Sequence, residues 1–433
     1  MSSTSPMPTS GPIAILGAKL IDGTGRDPVE DAAVIIDGER ICAIGPRSAV
    51  TVPANAAVIE AQGKTLLPGL IDCHVHLGFQ SGFNLMRRLT TPPSLNLLYA
   101  VPNCRVTLEA GITTVRDAGG TPAGVKMAVE RGLFPGPRML VAVTIISQTG
   151  GHSDGYMPCC VDLRLGNFPD VPHPVVDGVD EVRKKTREIL RAGADWIKLC
   201  TSGGVLSLGD APSSPQLTVE EIAAAVYEAA MQHKRCMAHA QATGGIKNAL
   251  RAGIASIEHG IWLDDEAIDM MKKQGVYLVP TLVAPLDVIA EAEAHPGAMP
   301  PWAVEKARMV AADHQASFRR AVQAGVKIAM GTDTGVGPHG RNARELGLMA
   351  EHGLTPMQSI VASTSEAARL LHLDKELGTL EEGKLADLLL VDGDLLANIL
   401  LIEDEGNMAL VMKGGQVVKS QLEASKRAAI LSI

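Results

Sequence analysis

The chain has 433 residues, 46% hydrophobic and 20% charged, with 39 Lys and Arg against 48 Asp and Glu and a formal net charge of −9. That much apolar material at modest charge density excludes intrinsic disorder, and an acidic balance without a basic run excludes a protein that tracks a nucleic-acid backbone. No stretch approaches the ~18 consecutive apolar residues of a membrane span, so the expected partner is a small molecule and the expected location cytoplasmic. With 44 Gly, 26 Pro and only 5 Phe, 4 Tyr and 3 Trp, the core must be aliphatic and built from many short elements. That favours repeated α/β units over a β-sandwich. The seven Cys lack metal-finger spacing; Cys73, Cys200 and Cys236 read as small buried hydrophobes in a reducing compartment, and the adjacent Cys159 and Cys160 as loop packing.

In chain order, residues 1–12 carry neither a basic segment nor an apolar one and read as a disordered leader rather than a secretory signal. Alternating segments at 13–18, 33–36 and 40–44, separated by Gly-rich turns, predict a small antiparallel sheet. The same texture returns at 386–391, 408–412 and 416–419. Each group is too small to fold alone, so residues 13–65 and 378–433 are expected to pair into one sandwich-like β domain. Between them, residues 66–377 hold eight apolar runs separated by helix-period stretches: 66–77, 112–117, 139–146, 196–201, 236–242, 256–259, 276–282 and 327–333. Eight is the number that closes a (β/α)8 TIM-like barrel, whose chemistry gathers at the carboxyl ends of the strands. Thr218 and Glu221 open one helix as a capping box, with Ala223, Val226, Ala230 and His233 as its expected face. The long connection at 147–178, with little regular pattern, follows the third strand on the chemical face.

Five chemistry-bearing residues fall at strand ends. His74 and His76, two apart in Asp72-Cys-His-Val-His, point to the same side of a strand and can share one metal. His239 closes the fifth run, His259 the sixth and Asp333 the eighth. In a barrel those ends converge. Lys198, flanked by apolar residues in Trp196-Ile-Lys-Leu-Cys200, is a sixth candidate. Burial disfavours its ammonium, and the neutral amine can combine with carbon dioxide, releasing a proton, to give a carbamate able to bridge two cations.

Leu67-Pro-Gly-Leu-Ile-Asp-Cys-His-Val-His76, Ile257-Glu-His-Gly260, Gly331-Thr-Asp333 and the segment from Gly378 to Leu388 resemble the amidohydrolase superfamily over nearly the whole chain. More narrowly the chain is similar to the binuclear branch that includes Xaa-Pro dipeptidase-like carboxypeptidases, ochratoxin-hydrolysing amidases and phenylurea hydrolases. The resemblance implies two divalent ions, zinc being expected. His74, His76 and Asp333 would hold the more buried one, His239 and His259 the other, with carboxylated Lys198 between them. It implies attack on a carbonyl by a metal-bridging hydroxide, with Asp333 moving the proton and His152, in Gly150-Gly-His-Ser-Asp-Gly155, polarising the carbonyl. Where relatives often carry a second His or Tyr after the fifth strand, this chain has Gln241.

The expected reaction is hydrolysis of an amide or peptide-like C–N bond, the substrate being an N-acyl amino acid, a dipeptide or an aryl amide. The alternatives are a hydrolase of a xenobiotic urea, carbamate or thiocarbamate and, in another class, a barrel scaffold without catalysis; retention of all six ligands argues against the last. Gln241, His339 and Arg164 are candidate substrate contacts, and Arg87, Arg88 and Arg341 further cations for a carboxylate. His295 and His372 lie away from the strand ends and read as structural. A barrel of this size is also expected to self-associate into a homo-oligomer.

Overall fold

Strand pairing brings the two ends of the sequence into one sheet. The structure is a computed structural model that describes residues 11–82, 84–163 and 170–422. Most of the expected leader and the chain beyond 422 lie outside that set; Pro12, inside it, already accepts the Ala57 N–H at 2.9 Å. Backbone contacts divide the chain into two units, one of residues up to 71 with 105–114 and 340 onward, the other of 72–104 and 115–339.

The first unit holds an eight-stranded sheet. Its path runs Gln416–Ser420, Met408–Lys413, Leu388–Asp392, Lys64–Pro68, Ile13–Leu20, Val29–Asp37 and Arg40–Pro46, with Ala57–Glu60 paired to Ile13–Leu20. The C-terminal strands join through Leu388–Asp392, which runs antiparallel to Lys64–Pro68. The sheet is mixed rather than wholly antiparallel, because Ala57–Glu60 and Lys64–Pro68 both return parallel to the first strand. Alternation sorts its faces: Ile13, Ile15, Val34 and Ile36 join one buried cluster with Leu388, Leu390 and Leu410, while Ala14, Leu16, Ala33 and Ile35 form another. The hydrogen-bonded path through these strands is continuous.

All eight apolar runs of the middle region contain strand. A parallel sheet orders Lys327–Ile328, Tyr277–Val279, Ser256–His259, Arg235–Ala240, Trp196–Cys200 and Ile145–Ile146, and a three-stranded sheet orders Leu70–Val75, Ile112–Asp117 and Arg138–Val141. Trp196–Cys200 and Ser256–His259 are buried at every residue, as expected where both faces of a parallel sheet are covered. The run at 139–146 is split between the two sheets. Val143 breaks it by adopting a left-handed φ of 62°, its carbonyl taking the Gly120 N–H at 3.0 Å. Beyond the strands proper, Cys73 N–H donates to the Met330 carbonyl at 2.9 Å and Asp333 N–H to the His74 carbonyl at 2.7 Å.

Helix Val219–Ala230 begins at the expected capping box, Thr218 accepting from Glu221 N–H at 3.2 Å and Glu221 from Thr218 N–H at 2.7 Å. Its buried face differs from expectation: Ile222, Ala224, Ala225, Glu228 and Ala229 are covered, whereas Ala230 is exposed. In a helix so rich in alanine, its largest aliphatic, Ile222, sets the face. No described helix is long and apolar enough to cross a membrane, and none of the seven cysteines is in a disulfide.

Candidate active site

The pleat of Leu70–Val75 places His74 on one side of the strand, and His76, just beyond it, follows on the same side. His74 is 1% exposed. Its Nδ1 lies 2.7 Å from Glu258 Oε2, so the Nδ1–H donates to that carboxylate and leaves Nε2 as the ligand atom. Glu258 is itself held by Arg116, whose Nη2 donates at 2.9 Å, and both are fully buried. Arg116 also donates to the Cys73 carbonyl at 2.6 Å, and its guanidinium sits 4.7 Å from the centre of the Trp196 ring. An imidazole oriented by a hydrogen-bonded carboxylate is what metal-binding histidines require. His76 gives Nδ1–H to the Gly119 carbonyl at 2.7 Å and stacks on Phe79, again leaving Nε2.

Asp333 Oδ1 lies 3.1 Å from His76 Nε2 and 3.5 Å from His74 Nε2. Ligand atoms of the three residues lie within 4.8 Å of one another, a spacing that one ion can satisfy. Lys198 Nζ lies 3.2 Å from His74 Nε2, and the side chain is 2% exposed. Burial pushes its pKa down, the direction that favours the amine needed for carbamate formation. His239 donates Nε2–H to the Gly203 carbonyl at 2.9 Å, leaving Nδ1, and His259 uses Nδ1 toward Thr281 Oγ1 at 2.7 Å, leaving Nε2. The His239 and His259 rings stand 4.7 Å apart, and His259 stands 5.1 Å from His74. Burial above all, with Lys198 and the neighbouring imidazoles adding to it, holds His74, His239 and His259 well below the usual imidazole range, so each ring is neutral. His259, Thr281 and Asp333 all adopt left-handed φ, of 72°, 54° and 60°. For residues other than glycine this costs on the order of 1–3 kcal/mol each, strain of the kind that collects at functional sites.

These groups line one cavity of about 630 Å³, together with His152 and Gln241. His152 stacks against His239 with ring centres 4.1 Å apart. Burial lowers its pKa to about 4. Gln241 is 5% exposed, and its Oε1 is buried with no hydrogen-bond partner, an orphan acceptor at the cavity. His339 is not among the lining residues; its Nε2–H donates to the Phe79 carbonyl at 3.0 Å, which makes it a support for the ring beneath His76. Arg164 and the side chain of Arg88 lie outside the described residues, and Arg341 falls in the other unit. Arg87 does line the cavity and donates to the Ser81 carbonyl at 2.7 Å. Glu258 and Arg116 escape the sequence reading, Glu258 lying inside the run that ends at His259 and Arg116 beside Asp117 in a strand that also holds two Thr.

A unit of alternating strands and helices with four His and an Asp at or just past its strand ends and a Lys within a strand fits a hydrolase class. The chain belongs to the amidohydrolase family, whose model matches residues 65–418. It is 32% identical to ochratoxinase from Aspergillus niger over 421 residues, 94% of this chain and 86% of that one. A crystal structure of a Xaa-Pro dipeptidase with methionine in its active site superposes with a TM-score of 0.85 at 34% identity, covering 94% of this chain and 99% of the other. Phenylurea hydrolase B shares the fold, with a TM-score of 0.73 at 20% identity and 98% of each chain covered.

Proposed function

We propose that the chain is a two-metal amidohydrolase that cleaves the C–N bond of an N-acyl amino acid, a dipeptide or an aryl amide. The observation that carries this reading is the convergence of six candidate ligands on one cavity, each histidine with its second ring nitrogen already engaged. His74, His76 and Asp333 would hold one ion, His239 and His259 the other, and carboxylated Lys198 would lie between them. The all-nitrogen-and-oxygen donor set fits zinc. When bound, the two ions would supply Lewis acidity toward the carbonyl and make hydroxide available near neutral pH. Asp333 would take the proton of the attacking water and return it to the leaving nitrogen, while His152 and Gln241 would engage the substrate. The bonds from Cys73 to Met330 and from Asp333 to His74 support reading the two strand arrays as arcs of one (β/α)8 barrel.

The amide reading draws on the likeness to ochratoxinase and to a dipeptidase that holds methionine in its site. A specific observation favours substrates without a carboxylate as well: among the described lining residues, Arg87 is the one Arg or Lys besides Lys198. Bulky apolar or aromatic amides should therefore be preferred, with a free carboxylate tolerated but not required, and a urea or carbamate is the second reading. The test compares kcat/KM on metal-loaded protein for an N-acyl aromatic amino acid and for its uncharged amide or aryl-urea counterpart. A loss above ~10³-fold on removing the carboxylate, about 4 kcal/mol of transition-state binding, would instead establish a dedicated carboxypeptidase.

A further inference from the structure

Helix Pro301–Ala324 turns one face toward the cavity, and along it Trp302, Lys306, Val310 and His314 follow at intervals of four. Trp302, Val310 and His314 line the cavity; Lys306, in the middle of the row, does not. Its ammonium lies 5.7 Å from the centre of the Trp302 ring and is covered by the segment from Gly203 to Asp210. It donates to the Ser207 and Asp210 carbonyls at 2.6 Å each, to that of Gly204 at 3.0 Å and to Asp210 Oδ1 at 3.2 Å. The Lys306 side chain is 14% exposed and that of Asp210 5%, so the pair is largely out of solvent.

The segment is built to hold that charge. Three carbonyls turned toward one point are costly to bury unless a cation sits among them. Asp210 is fixed in turn: Oδ2 receives the Gly204 N–H at 3.2 Å and Gln216 Nε2–H at 3.1 Å, and Oδ1 touches Ser207 Oγ. Gly203 N–H closes the base of the segment on the Ser214 carbonyl at 2.9 Å. Its aliphatic side chains point away from the ammonium: Val205, Leu206 and Leu208 line the cavity, and the first two also pack on the buried cluster that contains Val288 and Ala307. The fold thus brings an ammonium to the cavity wall, pairs it with one carboxylate and covers it with apolar groups.

We infer that Asp210 and Lys306 are specificity-determining residues that set the charge of this wall, masking a cation so that the cavity takes neutral, apolar substrate groups against it. The two act in opposite senses. Without the Asp210 charge the ammonium is unbalanced and draws substrate anions; without Lys306 the carboxylate is unbalanced and repels them. The inference rests on the amidohydrolase reading above and adds to it the residues that hold down the preference for a carboxylate.

The test measures kcat/KM on the full metal-loaded chain, as wild type, Asp210→Asn, Lys306→Met, Lys306→Arg and the double variant Asp210→Asn with Lys306→Met, metal content being measured in each. Two substrate pairs place the charge on either side of the scissile bond: an N-acyl phenylalanine with its uncharged amide, and the N-succinyl with the N-butyryl form of one arylamine. The quantity read is the ratio of the anionic to the neutral member, which cancels any loss of activity common to both. In at least one pair Asp210→Asn should raise the ratio roughly 5-fold or more and Lys306→Met should lower it by a similar factor, as for a unit charge about 10 Å away. Lys306→Arg and the double variant should return it to within about 2-fold of wild type. A purely structural role moves both single variants the same way; that result, or unmoved ratios in both pairs, overturns the inference while leaving the hydrolase reading intact. The wild-type ratio needs no variant: a preference for the anionic member above ~10³-fold also overturns a masked wall. No turnover of any of the four substrates by fully loaded wild type overturns the hydrolase reading and this one with it.

Discussion

Two histidines in this cavity are held by the same arrangement made from different material. His74 gives Nδ1–H to Glu258, which is backed by Arg116; His152 meets Ser207, which is backed by Asp210 and Lys306. In the first, the histidine and its two supports all sit on strands, and the Glu258 and Arg116 side chains are 0% exposed. In the second, the supports come from a loop and a helix, and Lys306 keeps 14% of its side chain exposed. The strand version has no water to fall back on when a partner is lost. The loop version can be rehydrated, which suits a group that engages substrate rather than metal.

The sharpest way to break the comparison is Arg116→Met. It strands the Glu258 carboxylate without a counter-charge, and removing one member of a buried ion pair costs about 3–5 kcal/mol. Denaturant unfolding should show that loss, and metal affinity should fall as His74 loses its orientation. A loss near zero would mean that Glu258 is not held as a carboxylate by Arg116.

Lys306→Met should do less to the fold, on the order of 1–3 kcal/mol, since it leaves Asp210 without its counter-charge but at a site where Lys306 is 14% exposed and the freed oxygens can bind water. Its mark should be kinetic: a lower kcat at unchanged metal content, partly restored in Lys306→Arg. A fall in metal loading instead would show that this side of the site reaches the ions through Gly203 and His239.

The smallest effect should come from an ion pair outside the cavity. Glu228 on helix Val219–Ala230 meets Arg187 on helix Val179–Arg191 through two bonds of 2.8 Å, and Arg187 is largely exposed. The Arg187 bond, against the opposing effect of burial, holds the Glu228 carboxyl below its usual range. A depressed carboxyl contributes stability above the unfolded pKa and loses it as pH falls through the folded one. Glu228→Gln should therefore lower stability slightly near neutral pH, and the difference should vanish in acid. A difference that grows in acid would reverse the sign of this account.

What the sequence disclosed follows the same division. His74, His76 and Lys198 were legible because strand geometry fixes which side a residue faces, and a charged side chain in an apolar run stands out. Glu258 sits inside a run singled out for His259, so its role emerges only once strand register brings it to His74, 184 residues away. The left-handed φ at His259, Thr281 and Asp333 falls on residues other than glycine, so nothing at the position itself announces it. His152, Ser207 and Lys306 meet across separations of 55 and 99 residues, from a loop without periodicity and a helix whose lysine reads as solvated. No local pattern encodes that meeting. The Val143 break likewise left no sign in a run whose one polar residue is Thr144.

The most direct test of the central claim is the number of metal ions per chain in purified, active protein, measured by plasma mass spectrometry beside His239→Ala. The account predicts about two ions in the wild type and loss of the less buried one in the variant. Active wild-type protein holding one ion or none would contradict it.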